Sequence, residues 1–263
     1  MVKKRIIGVI TIKNDLVVQS FSYSRYLPIG KPECVVENLD RWGADEILIQ
    51  VIDKSTNNLG PDLDLLNKIG RLKISTPIIY SGGIRNHKDA IEVIKNGADR
   101  IVVDSLLRKD KKELIKISMR LGSQAVIASL PVILKNNEVY FYNYISKKEK
   151  KINKDYLNII LDKNLISEIL LINKNTEGFS NSFDYKIISL FPKTDLSLIA
   201  FGGISEVKQI NQILSSEIVS AVGIGNFLNY KEHSIQLLKQ SVSSDYLRRP
   251  NYNSINTYED PVL

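Results

Sequence analysis

Short apolar runs alternate with amphipathic stretches along nearly the whole chain. The apolar runs are rich in Val and Ile and mostly about four to eight residues long, which is typical of buried parallel strands. Eight such runs predict strands, namely "RIIGVITI", "EILIQVID", "PIIYSG", "RIVVDS", "QAVIASLPVIL", "EILLIN", "LSLIAFGG" and "VSAVGIG".

The stretches between these runs carry apolar residues at helical spacing, as in "PECVVENLDRWG", "DLDLLNKIGRL", "HKDAIEVIKNG" and "VKQINQILSS". Eight strand–helix units in 263 residues predict an α/β protein with a single (β/α)8 TIM barrel rather than an open sheet. An open dinucleotide-binding sheet would also need a G-x-G-x-x-G motif after its first strand, and the sequence has none there.

The barrel is expected to consist of two similar halves. "GADEILIQVID" (43–53) matches "NLISEILLINK" (164–174), and Ser81-Gly82-Gly83-Ile84 matches Phe201-Gly202-Gly203-Ile204. We therefore expect one domain over 1–263, with an internal two-fold repeat of half-barrels at about 1–122 and 123–250 and a tail at 251–263.

Composition and charge exclude several classes of protein. Apolar residues make up 43% and charged residues 25%, the net charge is +7, and no apolar run is long enough to span a membrane. The lysine-rich run 146–154 is expected to cap a hairpin or begin a helix, and no motif for nucleic acid, metal or an organic cofactor accompanies it. The single cysteine, Cys34, excludes an internal disulfide and fits a reducing cytoplasm.

Paired glycines fall at the predicted carboxyl ends of strands three and seven, where active sites of such barrels lie. Glycine lets backbone N–H groups approach an anion, and a following helix N-terminus favours negative charge. The repeat predicts a ligand with two phosphates, although the glycines alone are also explained as chain turns. The predicted phosphate-binding residues are Gly82, Gly83, Asp104 and Ser105 in the first half and Gly202, Gly203, Gly225 and Asn226 in the second.

Four charged residues come immediately before or at the start of predicted strands: Arg5, Glu46, Arg100 and Glu168. This placement predicts two cations and two anions pointing inward at the N-terminal mouth of the barrel. One explanation is a salt-bridged plug that seals the core. Stability alone is a weak reason for burying four charges, because apolar replacements are often as stable.

The sequence resembles the HisF family, the cyclase subunit of imidazole glycerol phosphate synthase, over nearly its full length. The resemblance rests on "KRII", "GADEILI", "SGGI", "GADRIVVDS", "GSQAV", "SEILLIN" and "FGGI". It implies a (β/α)8 barrel that takes ammonia from a glutaminase partner to a bisphosphorylated substrate. It also implies that the four mouth charges form the ammonia gate, with Arg100 where the family usually has lysine, and that Asp99 and Gln124 face the glutaminase.

The two aspartates that the family is held to use as general acid and base are replaced here by Thr11 and Pro131. Neither side chain titrates near neutral pH, so no catalytic residue is assigned, and the rate contribution of about 10²–10⁴-fold from such groups is expected to be missing. A lysine position of the family is Gln19. Carboxylates near other strand ends are candidate substitutes, although each is also explained as a loop or cap residue: Asp15, Asp53, Asp104, Glu177 and Asp184.

A retained lower mouth with a changed upper face resembles the HisF-like glycosyl-amidation branch (WbuZ type), as do Arg25-Tyr26 and "RRPNYN" (248–253). This resemblance implies a cytoplasmic, ammonia-conducting subunit that works with a HisH-like glutaminase and an N-acetyl-sugar amidotransferase in surface-sugar biosynthesis. A working cyclase (a lyase of histidine biosynthesis) is the main alternative. A phosphate-sugar isomerase of the related barrel family and a purely structural scaffold also remain open.

Overall fold

The computed structural model describes residues 3–57, 59–229, 233–242 and 245–248. Within these residues the chain forms twelve strands: β1 (Arg5–Lys13), β2 (Leu16–Phe21), β3 (Arg25–Gly30), β4 (Glu46–Val51), β5 (Ile78–Ser81), β6 (Arg100–Val103), β7 (Val126–Lys135), β8 (Glu138–Asn143), β9 (Lys148–Lys151), β10 (Glu168–Asn173), β11 (Ser197–Phe201) and β12 (Val219–Ile224). The predicted tail at 251–263 and part of the "RRPNYN" segment lie outside the described residues.

The described residues also contain ten α-helices: α1 (Pro32–Arg41), α2 (Ile52–Thr56), α3 (Leu63–Gly70), α4 (His87–Lys95), α5 (Ser105–Lys109), α6 (Lys111–Leu121), α7 (Lys154–Ile160), α8 (Lys186–Ser189), α9 (Val207–Leu214) and α10 (Ser234–Ser241). Two short 3-10 helices cover Ser123–Ala125 and Asn226–Asn229.

Eight of the strands pair in parallel and close into a barrel, in the order β1, β4, β5, β6, β7, β10, β11, β12 and back to β1. These are the eight strands that the apolar pattern predicts, so the (β/α)8 prediction is confirmed. Most helices follow a barrel strand and cover its outer side, and α9 packs Ile210, Ile213 and Leu214 inward at helical spacing.

The four remaining strands form two hairpins that the sequence pattern did not resolve. β1 turns back as β2, which pairs with β3, and β7 turns back as β8, which pairs with β9. The hairpins thus extend the first and the fifth barrel strands beyond the C-terminal mouth, at equivalent places in the two halves. The run at 146–154 was expected to cap a hairpin or to begin a helix. It does both, because it contains β9 of the second hairpin and its last residue begins α7.

Candidate functional site

Four charged side chains close a ring at the N-terminal mouth. Arg5, Glu46, Arg100 and Glu168 are the first residues of β1, β4, β6 and β10. Arg5 Nη1 lies 2.7 Å from Glu46 Oε2, and Arg5 Nη2 contacts Glu168. Arg100 lies 3.3 Å from Glu46 Oε1 and 2.7 Å from Glu168 Oε2. Each cation therefore contacts both anions, and we call this set the charge ring.

Polar neighbours form further hydrogen bonds with the members of the charge ring. Arg5 donates to Ser220 Oγ at 3.1 Å, and the Ser220 hydroxyl donates to Glu168. Arg100 donates to Ser167 Oγ at 2.9 Å and to the backbone carbonyl of Gln124, in the 3-10 helix before β7. Burial alone would raise the pKa of Glu168, but Arg5, Arg100 and Ser220 outweigh it and hold that pKa below its ordinary value. Glu168 therefore stays ionised at neutral pH.

The charge ring opens downward into a depression of about 1140 Å³. Asp99 and Gln124, the predicted partner-facing residues, both line it and are both exposed. Asp99 also accepts a hydrogen bond from the backbone N–H of Ile78 at 2.8 Å, and the carbonyl of Gln124 accepts from Arg100 at 3.1 Å. The lower face thus combines a concave surface with the ring at its base.

Above the charge ring, the bore of the barrel is lined by apolar side chains. Alternate residues of each barrel strand point inward. The inward set forms one buried cluster of Ile7, Val9, Leu48, Ile79, Val102, Ile127, Leu170, Ile172, Ile199, Phe201 and Ala221. A small neutral molecule meets no charged group in this layer.

At the C-terminal mouth, the family's acid–base positions lack titratable groups. Thr11 follows Ile7 and Val9 on the inward side of β1, is 6% exposed, and lies opposite Gln50 of β4. Pro131 lies opposite Ile172 in the β7–β10 pairing. Gln19, at the family's lysine position, is half-buried in β2.

Tyrosines from the two hairpins cover the upper end of the bore. Tyr23 packs against the inward cluster, and its hydroxyl donates to Gln50 Oε1 at 3.0 Å. Its ring meets that of Tyr144 edge-on at 5.5 Å, and Tyr144 meets Tyr142 in the same way at 5.5 Å. Burial raises the pKa of Tyr23 and of Tyr144 well above the ordinary value, so both phenols stay neutral. Sequence reasoning missed these residues and Gln50.

Glu177 is the candidate substitute carboxylate that the fold buries most. It is 2% exposed and accepts hydrogen bonds from Ser20 Oγ at 2.9 Å and from the Tyr23 backbone N–H at 3.1 Å. Burial raises its pKa to about 7, against the lowering effect of these hydrogen bonds and of Lys174. A carboxyl group with this pKa is suited to general acid–base chemistry near neutral pH. Its Oε2, however, already accepts hydrogen bonds from Ser20 of β2 and from Tyr23 in the turn after β2.

Protein atoms lie close to the glycines of the first predicted phosphate cradle. A Cβ on Gly82 would lie 2.4 Å from the Val51 carbonyl oxygen, so the close approach of β4 explains that glycine. The Gly83 N–H already donates to Ser55 Oγ at 3.0 Å. Asp104 is paired with Arg108 at 2.5 Å, and Ser105 begins the five-residue helix α5. A carboxylate here would also repel a phosphate.

The second predicted cradle repeats this packing. A Cβ on Gly202 would lie 2.5 Å from the Asn173 carbonyl oxygen, which is the symmetric contact to that of Gly82. Gly203, Gly225 and Asn226 line one cavity, as predicted, but its volume is only about 20 Å³. The Asn226 amide donates to the carbonyls of Ser20 and Gly178 at 2.8 and 3.1 Å. The Asn226 amide is therefore engaged with protein carbonyls at the edge of this small cavity.

The other candidate carboxylates have local structural roles. Asp53 Oδ2 accepts from the Asn14 N–H at 2.9 Å, and Asp15 lies in the β1–β2 turn with φ 62°. Asp184 Oδ1 accepts from the Lys186 N–H at 2.9 Å, at the start of α8. These contacts agree with their explanation as turn and cap residues.

The sequence profile of the histidine biosynthesis protein family matches residues 5–234. The chain belongs to this family. It is HisF-like, being 27% identical over 252 residues to the imidazole glycerol phosphate synthase subunit HisF of an Exiguobacterium strain, with 94% of this chain and 96% of that protein covered. It is 25% identical to the HisF subunits of a Clostridium botulinum strain (96% and 99% covered) and a Thermotoga strain (96% and 98% covered). Among the described residues, no helix has both the length and the apolar character needed to cross a membrane.

Proposed function

We propose that this HisF-like barrel is the ammonia-conducting subunit of a glutamine amidotransferase assembly. A HisH-like glutaminase would dock in the depression at the lower face and release ammonia at the charge ring. The observation that carries this proposal is the closed ring itself. Each of its cations is paired with both of its anions, yet the ring stands at the foot of an apolar bore.

The consumer of the ammonia is proposed to be a third protein, an N-acetyl-sugar amidotransferase at the upper face. Thr11 and Pro131 supply no acid or base to the top of the barrel, and the Gly83 N–H and the Asn226 amide at the predicted phosphate cradles already have protein partners. A barrel with these features is suited to delivering ammonia rather than to cyclising a bisphosphate. The sugar amidotransferase would replace the amide oxygen of the sugar's N-acetyl group with this nitrogen, and the oxygen would leave as water.

The test of the charge ring is the variant Arg5→Ala, assayed with the glutaminase and the sugar amidotransferase present. We expect product formed per glutamine hydrolysed to fall several-fold, because ammonia leaks where the ring is broken, while added ammonium salt still supports full product formation. Lys116→Ala, on the outer helix α6, is the matched control. It should change neither the product formed per glutamine hydrolysed nor the product formed with ammonium. Equal loss with glutamine and with ammonium would contradict the gate.

The second candidate is the cyclase reaction, which the names of the relatives favour. Its test is turnover of phosphoribulosyl-formimino-AICAR-phosphate with saturating ammonium in place of a glutaminase, beside an intact cyclase. We expect no turnover from the folded protein. Turnover near that of the control would overturn the conduit proposal and would make Glu177 the first residue to examine as a substitute acid or base.

A further inference from the structure

Large apolar side chains are exposed mainly around the upper mouth. The described residues contain ten exposed large apolar side chains, and six of them lie on segments that follow barrel strands at the C-terminal end. We call these six the upper rim: Leu16, Leu27, Ile29, Leu59, Ile145 and Phe179. Scattered exposed apolar residues are ordinary, whereas a concentration around one opening marks an interaction surface.

The first hairpin contributes an open strand edge to the upper rim. Among the described residues β3 pairs with β2 alone, so its other edge has no strand neighbour. Leu27 and Ile29 of this strand are 50% and 40% exposed, on either side of a shift in the β2–β3 register. An open edge with exposed apolar side chains is a surface that proteins normally cover.

The second hairpin makes the same region basic. Residues 135–154 contain six lysines and two glutamates, and both glutamates are paired, Glu149 with Lys135 and Glu138 with Lys151. Lys147 and Lys148 are exposed beside Ile145. A second copy of this chain would bring like charges together, so the charge favours a partner with an acidic face.

We propose that the upper rim docks a separate protein through an apolar patch bordered by acidic residues, and that this protein is the enzyme that accepts the ammonia. The inference deepens the proposed function and rests on it for the identity of the partner. Tyr23 and Tyr144, which cover the bore, belong to the same hairpin segments as Leu27 and Ile145. A partner seated on the hairpins therefore lies directly over the end of the bore.

The test is the affinity of the whole chain for the N-acetyl-sugar amidotransferase of the same organism, measured by calorimetry at low and at physiological salt. Leu27→Glu with Ile145→Glu should weaken binding at least tenfold. Met119→Glu, at an 80% exposed apolar position on the outer helix α6, is the matched control and should change the affinity less than twofold. Circular dichroism checks that each variant is folded.

Charge reversal tests the acidic character of the partner separately. Lys147→Glu with Lys148→Glu should weaken binding at low salt at least tenfold and flatten its salt dependence, because the attraction is lost. Lys95→Glu with Lys116→Glu reverses two exposed charges on α4 and α6 and should leave the salt dependence as it is in the wild type.

The outcomes separate this inference from the proposed function. Absence of wild-type binding, or equal weakening by rim and control variants, overturns the docking inference even if Arg5→Ala uncouples glutamine use. Self-association that the rim variants abolish would show that a second copy covers the rim, and also overturns it. Cyclase turnover would instead overturn the proposed function. Even then, binding that is lost only in the rim variants would support the docking surface.

Discussion

The two mouths of this barrel lie at opposite ends of the same eight strands and differ in their chemistry. At the lower mouth, Arg5, Glu46, Arg100 and Glu168 are paired with one another and face a depression of about 1140 Å³. At the upper mouth, neutral tyrosines cover the bore, and the cavity beside Glu177 is small, at about 20 Å³. The lower mouth therefore combines charge with an open depression, whereas neutral aromatic side chains cover the upper end of the bore.

This difference indicates which end of the barrel has a role beyond stabilising the fold. Buried ion pairs contribute little net stability, because desolvation of the charges opposes their attraction. The tyrosine layer, by contrast, buries aromatic surface and continues the apolar packing of the bore, which stabilises the fold directly. The lower mouth thus has a feature that packing alone does not explain, whereas packing explains the tyrosine layer of the upper mouth, though not the buried Glu177 beside it.

The largest expected effect comes from breaking the charge ring at one member. Glu168→Ala removes the anion shared by Arg5 and Arg100, leaving two guanidinium groups facing a single glutamate. We expect the free energy of unfolding to fall by about 3–5 kcal/mol, because an incompletely compensated buried charge is costly. Urea denaturation at pH 7 and low salt measures this change.

Replacing the whole charge ring provides the control. A variant with methionine at Arg5 and Arg100 and leucine at Glu46 and Glu168 should be about as stable as the wild type, since well-packed apolar groups commonly match a buried ion network. That variant should nevertheless lose the coupling between glutamine use and product. If it kept the coupling, the ring would be no more than a plug.

The next effect lies at the upper mouth and depends on pH. Burial holds the pKa of Glu177 at about 7, above the ordinary 4.5, so the folded chain keeps a proton that the unfolded chain releases. Stability from this group is full below about pH 4.5 and is lost as pH rises to 7. Glu177→Gln should remove the dependence and raise the free energy of unfolding at pH 8 by about 2–4 kcal/mol, with little change below pH 4.5.

Unfolding by urea at pH 4.5 and pH 8 measures both values. Glu206→Gln, at an exposed position before α9, is the control and should follow the wild type. A wild-type stability that did not fall across this interval relative to Glu177→Gln would mean that the carboxylate is charged in the fold. Lys174, Tyr23 and Tyr144 are the groups around Glu177 that such a result would direct attention to.

Sequence reasoning located the charge ring but not the tyrosine layer, and the reason is geometric. Glu46, Arg100 and Glu168 directly begin apolar runs, and in a parallel barrel the starts of strands meet at one end. Tyr23 and Tyr144 lie on hairpins instead, and their position over the bore depends on the β1–β2 and β7–β8 pairings. The tyrosine-rich runs after the first and fifth barrel strands were the available signal.

The paired glycines illustrate a second limit. The two glycine pairs directly follow β5 and β11. The sequence does not contain the positions of Val51 and Asn173, whose carbonyl oxygens would lie 2.4 and 2.5 Å from a Cβ on Gly82 and on Gly202 and which therefore explain the glycines. The glycines thus predicted that some group comes close to the chain at these turns. Only the fold shows that this group is the end of the neighbouring strand.

The smallest expected effect tests how the upper mouth is held closed. Tyr23→Phe keeps the ring that packs on the bore and removes only the hydroxyl that donates to Gln50 Oε1. We expect the free energy of unfolding to fall by about 1–2 kcal/mol, because a buried amide oxygen loses its partner. Tyr140→Phe, whose hydroxyl donates to the half-exposed Glu138, should change the free energy of unfolding far less. Equal losses in the two variants would mean that packing alone holds the tyrosine layer over the bore.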